Sequence, residues 1–222
     1  YVMLLILFVG MMLSSNLVIM EKQSLAFFRN HTTPTSSLTH LIARFLTNLI
    51  ILSLQLSLVL FAAYYFLNLP IFTNYKVSLV LLIISSSFFI FLGYFIGYLF
   101  KTQEAITIAF ISIAGLLAFL SNLILPIEAF SSTIRNVLMF NPYMLSSELL
   151  KKAMIFNTGY VGLGKGFLLL LGYVFLIFIL VVILQKISLF RLSLGFSQKA
   201  LLKRPHINND NFFRLDSGIL LK

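Results

Sequence analysis

The chain has no cysteine, and no Asp, Glu, Lys, Arg or His falls inside any of its long apolar stretches. The first absence excludes disulfides and thiolate-held metal and leaves the redox compartment undetermined. The second weighs against a proton-coupled carrier, because proton relays and ion pathways place ionisable groups at membrane depth. Charge is scarce throughout: charged residues make up 10% of the chain and hydrophobic residues 60%, with a mean hydropathy of +1.03. These values lie outside the range of a soluble domain.

What the chain has is five uncharged apolar runs, 1–20, 45–67, 77–100, 105–125 and 166–185, of 20, 23, 24, 21 and 20 residues. A helix rising ~1.5 Å per residue needs roughly 20 residues to cross a ~30 Å hydrocarbon core. Backbone groups in lipid must pair internally, and continuous Leu, Ile and Phe runs lack the alternation of a membrane barrel. The predicted fold is therefore all-α, a polytopic membrane helix bundle with five transmembrane helices. The first run has no basic n-region and no visible cleavage site, so it reads as a span rather than a signal peptide.

In such a chain a formal charge of +10 reports orientation and contact with anionic headgroups before it reports nucleic acid. With five spans, segments 21–44, 101–104 and 186–222 share one side and carry 11 Lys and Arg, against 5 on segments 68–76 and 126–165. The positive-inside rule puts the 21–44 loop and the C-terminus in the cytoplasm. That margin comes from basic residues just after the last span. The expected organisation is a membrane domain over 1–187, with an outer helical hairpin at 126–165, followed by a basic cytoplasmic tail at 188–222. Disorder is expected beyond Pro205.

Polar groups inside the spans are few. Gln55 and the cluster Ser85, Ser86 and Ser87 sit near mid-membrane, and with Asn122 they are the candidates for a polar route; interhelical hydrogen bonding is the plainer role. Gly93 and Gly97 form a G-x-x-x-G pair on one face of the third run, which permits close packing without naming the partner.

Two connections stand apart. The 21–44 loop has a dense polar middle around Arg29, His31 and Pro34, and the choice there lies between a membrane-surface helix and a docking helix for a soluble partner. Over 131–156 the spacing predicts two short amphipathic helices broken at Asn141-Pro142, where Asn141 caps the second helix and Pro142 takes its first position. Neither can span; they lie at the outer interface or dip into it.

The order of these parts is a span, a Glu-initiated polar loop (Glu21, Lys22, then Arg29 and Pro34), three spans joined by tight turns, a Pro126-Ile127-Glu128 exit, a short helix, Asn141-Pro142, a second short helix and a last span. Over residues 1–187 this resembles the type-2 ABC transporter permease family, the membrane half of many prokaryotic exporters. The resemblance implies six spans per subunit, of which this chain would lack the first, together with any extracellular domain following it. It implies a coupling helix at 21–37, contacting a separate ABC ATPase subunit through Glu21, Lys22, Arg29 and Pro34, and a re-entrant outer pair of helices at 131–156, introduced by Pro126 and Glu128. It further implies permease dimers, homo- or heteromeric, in the cell membrane, with no cofactor of their own and membrane lipid as the remaining partner. One departure is that Ala129, Phe130, Ser131 and Ser132 stand where a second proline often precedes the outer helix. On this reading charge reversal at Glu21 or Arg29 leaves folding nearly intact and uncouples hydrolysis from export, since both lie outside the hydrocarbon core.

Other motifs carry less. The stretch from Gly159 through Gly162, Gly164 and Lys165 to Gly166 nearly matches a phosphate-binding loop, but Gly166 replaces the Mg²⁺-holding hydroxyl and no strand precedes it; it reads as a flexible hinge into the last span. His31, His40 and His206 have no carboxylate pair or cysteine to complete a metal site. No nucleophile has an adjacent base, which argues against an enzyme, and Asn30-His31-Thr32 is a chance sequon on this topology. The alternatives to an ATP-driven permease are a secondary transporter or channel, which calls for an inverted repeat or intramembrane charge, and a membrane scaffold, which calls for a dedicated binding domain.

Overall fold

A computed structural model describes residues 1–24, 37–67, 75–121, 138, 140–154 and 160–202, with the side chains of 37, 67, 160, 161 and 189–202 excepted. Six helices lie among them: α1 Val2–Gln23, α2 Ser37–Leu67, α3 Tyr75–Leu99, α4 Gln103–Phe119, α5 Pro142–Met154 and α6 Tyr160–Leu202. No strand occurs among the described residues. Contacts divide the chain into a unit Tyr1–Gln185 and a unit Lys186–Lys222; the second contains the last turns of α6.

The expected five membrane-length helices become four, Val2–Gln23, Leu38–Phe66, Tyr75–Leu99 and Gly162–Ser188, with Gln103–Phe119 shorter at 17 residues. Helix boundaries also move. Glu21 and Lys22 belong to the last turn of α1, and α2 begins at Ser37, so the 21–44 connection narrows to the residues between Gln23 and Ser37. The 37–44 segment is mixed rather than apolar, yet its Leu41 is fully buried and holds the helix in place. On α6, Tyr160–Gly166 is helical, which overturns the hinge reading of that glycine-rich stretch. Glycine is tolerated inside membrane helices because close packing compensates its propensity. Here Gly166 sits against Leu149 of α5, where an added Cβ would lie 2.7 Å from Leu149 Cδ2.

The core is built on α1 and α3. Gly10 faces Phe89 and Ile90, Gly93 faces Met11 and Ser14, and Gly97 faces Ser15 and Val18. The numbering offset between facing residues is nearly constant, so the two helices run parallel along a seam of small residues. This supplies the partner that Gly93 and Gly97 lack in the sequence. Ser14 Oγ donates to its own helix at Gly10 O, which removes its polarity from the seam. The antiparallel α2 packs beside them through stacked Phe45 and Phe91 rings, 4.7 Å between centroids. Helix α6 lies along the edge with one buried stripe, Leu163, Leu170, Ile177 and Val181, at helical spacing, and leaves much of its remaining apolar surface exposed.

The shortness of α4 has a local cause. Thr102 caps its start, accepting from Ala105 N at 3.3 Å, with Glu104 in the first turn. Its far end meets Asn141, whose Nδ2 donates to Leu117 O at 2.9 Å and Leu120 O at 3.0 Å. The same side chain caps α5, since Asn141 Oδ1 accepts from Tyr143 N at 3.0 Å. Asn141 thus caps a helix that opens at Pro142. Tyr143 packs edge-on to Phe89, near the middle of α3, at 6.5 Å, so α5 begins at depth rather than at the surface. From there it climbs antiparallel to α6, with Phe140 O taking the Tyr173 hydroxyl at 2.9 Å and Leu149 against Gly166. The first outer helix, expected before Asn141, and Pro126 and Glu128 lie outside the described residues.

Candidate functional site

Three helix ends converge where α1 stops. Glu21 of α1 forms an ion pair with Arg44, two turns into α2, and the two side chains keep only 22% and 14% of their exposure. Arg44 Nη1 also donates to Tyr98 Oη of α3 at 2.9 Å. Lys22 turns the other way: its Nζ donates to the terminal carbonyls of α3, Gly97 O at 2.7 Å and Tyr98 O at 3.2 Å, and lies 5.2 Å from the centre of the Tyr98 ring. Within this cluster both charges of the helix-ending pair Glu21-Lys22 are satisfied internally. One turn deeper, Asn48 Nδ2 donates to Tyr94 Oη at 3.0 Å, both side chains buried. Ser24 Oγ returns to Glu21 O at 2.9 Å and closes α1.

The arrangement ties α1, α2 and α3 together at the two ends of the polar connection. Its parts differ in how far residue order reveals them. Glu21 and Lys22, which the sequence offers as surface contacts, are instead tied to α2 and α3, so charge reversal at Glu21 carries a folding cost absent from a free loop. Arg29 and Pro34 lie outside the described residues. Arg44, Asn48, Tyr94 and Tyr98 receive no role from sequence alone. A signal for the tyrosines exists, since each follows a glycine of the G-x-x-x-G pair and so sits on the face beside the seam.

The mid-membrane candidates occupy one level. The register set by Arg44 with Tyr98 and Asn48 with Tyr94 brings Gln55 of α2 to the depth of Ser85, Ser86 and Ser87 of α3. All three serines are buried. Ser87 Oγ donates to Ile83 O at 2.7 Å on its own helix, while Ser85 Oγ and Gln55 Oε1 are buried without a hydrogen-bond partner. These two oxygens thus make none of the interhelical bonds expected of them and stand as polar atoms in an apolar core. Asn122 lies outside the described residues.

The Asn141 junction gives a direct test. Alanine there removes the α5 cap and strips the donor from two α4 carbonyls, so the loss is expected to exceed an ordinary cap and reach about 2–4 kcal/mol. Aspartate keeps the acceptor and loses the donors, and should fall between. Thermal unfolding of the purified protein in detergent reads this; an alanine variant as stable as wild type would mean that the junction is held elsewhere.

The family model described as "ABC-2 family transporter protein" matches residues 1–183 of this chain. No curated protein and no solved structure matches it.

Proposed function

The chain belongs to the ABC-2 family of transporter proteins, and from that premise we propose that it is the membrane-spanning permease subunit of an ATP-driven exporter, driven by a separate ABC ATPase. The observation that carries this reading is the Glu21–Arg44–Tyr98–Lys22 cluster. It fastens both ends of the polar connection between α1 and α2 to the end of α3. A force applied to that connection therefore acts on three helices at once, which is what transmission from a cytoplasmic motor requires. Arg29 and Pro34, within the connection, are the contacts offered to the ATPase; Glu21 and Lys22 carry the force onward.

In this reading α4 and α5 together complete one crossing, because Asn141 joins the end of one to the start of the other at the depth of Phe89. The 37–44 end of α2 and the C-terminus face the cytoplasm, following the excess of Lys and Arg on that side. The orphan oxygens at Gln55 and Ser85 mark where a substrate's polar groups would meet the pathway. The permease works as a dimer in the cell membrane.

One experiment tests orientation and coupling together. Thr33→Cys introduces the sole thiol into this cysteine-free chain. It should react with a membrane-impermeant reagent in inside-out vesicles and not in intact cells, and co-expression of the partner ABC ATPase should slow the reaction markedly. Labelling from outside the cell would reverse the orientation, and labelling indifferent to the ATPase would remove the coupling assignment.

A further inference from the structure

Helix α6 is longer than a membrane is thick. Its 43 residues, Tyr160–Leu202, extend about 65 Å at ~1.5 Å per residue, against roughly 40–45 Å for a bilayer with its headgroups. The part long and apolar enough to cross ends at Ser188, and the helix continues without interruption over Leu189–Leu202, about four further turns. The boundary between the two units of the chain falls close to this point, between Gln185 and Lys186.

Residue order along those turns is two-sided. At about 100° per residue, Ser188, Arg191, Gly195, Gln198 and Lys199 fall in one polar row, which Leu202 closes. Leu189, Phe190, Leu192, Leu194, Phe196 and Leu201 are spread over the rest of the circumference, interrupted only by the small residues Ser193, Ser197 and Ala200. No Asp or Glu occurs between Glu148 and Asp210, so Arg191 and Lys199 have no acidic residue on their own helix to offset them.

This pattern selects among the surfaces that could cover these turns. A helix held in a protein groove needs one apolar stripe, whereas apolar positions over more than half of the circumference suit a helix lying in the headgroup–acyl boundary with its polar row outward. A second copy of the helix would bring the same basic residues and no acid to meet them. A leaflet containing anionic lipid is negative, and it lies where the crossing part of α6 ends. Held upright instead, α6 would carry Leu194, Phe196 and Leu201 past the headgroups into water.

We propose that Leu189–Leu202 is an amphipathic anchor that bends from the span near Ser188 onto the adjoining leaflet and binds anionic phospholipid through Arg191 and Lys199. The inference rests on the chain lying in a membrane and not on an ATPase or a transported substrate, so its test can fail without touching the function proposed above.

Because the chain has no cysteine, Leu194→Cys and Gln198→Cys each give a single thiol for a fluorophore. The labelled protein is placed in nanodiscs of phosphatidylcholine alone or of equal phosphatidylcholine and phosphatidylglycerol, with one or two chains per disc, and quenching by acrylamide is measured. In the mixed discs position 194 is expected to be quenched several-fold less than position 198, and this difference should shrink in phosphatidylcholine alone. Arg191→Gln combined with Lys199→Gln should shift position 194 from shielded towards exposed by about 25-fold, about five-fold for each charge removed. Equal quenching at the two positions in mixed discs would overturn the anchor. Shielding of position 194 that is the same in both lipids and in the doubly substituted chain would overturn the anionic ligand, and shielding seen only with two chains per disc would make the cover a second copy instead.

Discussion

Gly93→Leu is expected to prevent accumulation of the folded protein. A Cβ at this position would lie 2.6 Å from Met11 O and 3.0 Å from Met11 Cα, which is backbone and has nowhere to go. Alanine alone should cost about 1–3 kcal/mol, the usual range for overpacking. A leucine adds three further carbons to the same seam and forces α1 and α3 apart along their length, against a total stability on the order of 5–15 kcal/mol. The control is internal. A Cβ added at Gly115 or Gly172 would have no neighbour within 4 Å, so alanine at either should be neutral or stabilise by up to about 1 kcal/mol through helix propensity. Yield of monodisperse protein and thermal unfolding in detergent distinguish these. If Gly93→Leu folds as well as Gly172→Ala, the parallel α1–α3 seam is not what holds the bundle.

The second large effect concerns the ion pair. Arg44→Glu should destabilise by about 3 kcal/mol, because it places two carboxylates together at a site where both original side chains are mostly buried. Glu21→Arg alone should do comparable damage by opposing two guanidinium groups. The double exchange should recover most of the loss, since the Tyr98 hydroxyl, which accepts from Arg44, can turn to donate to a carboxylate at position 44. A double-mutant cycle on unfolding measures the recovery as a coupling energy. Additive single effects, with no recovery in the exchanged protein, would show that Glu21 and Arg44 act separately and that the cluster does not join α1 to α2.

Much of this architecture can be read from residue order, and the failures have physical causes. Hydropathy locates the helices because lipid-facing residues must be apolar, but it does not report where a helix ends. The apolar run of α2 opens at Phe45, although its helix starts at Ser37, in a mixed segment anchored by Leu41. Asn141-Pro142 is legible because a cap and a first-position proline are local chemistry. The second half of that junction, two donated hydrogen bonds to Leu117 and Leu120, is not, because it depends on where another helix stops. For the same reason the pairing of Glu21 with Arg44 is invisible in the sequence: it needs the relative rotation of two helices joined by a long connection. The glycines from Gly162 to Gly166 mislead because glycine signals a turn in water, whereas an apolar helix tolerates it, and of these Gly166 is at a close contact, against Leu149.

The parallel seam between α1 and α3 also fixes an electrostatic arrangement. Two helices running the same way present both of their C-termini at one face, and each end carries about half a negative charge from its aligned peptide dipoles. Their sum is roughly one elementary charge, held near the boundary between lipid and water, where screening by solvent is weakest on the bilayer side. Lys22, in the last turn of α1 and bonded to the last carbonyls of α3, is the single positive charge placed on both ends at once among the described residues. Any movement that parts α1 from α3 at this face therefore uncovers a negative potential as well as a packing surface, and its height is set by how readily a cation from solution replaces the departing ammonium.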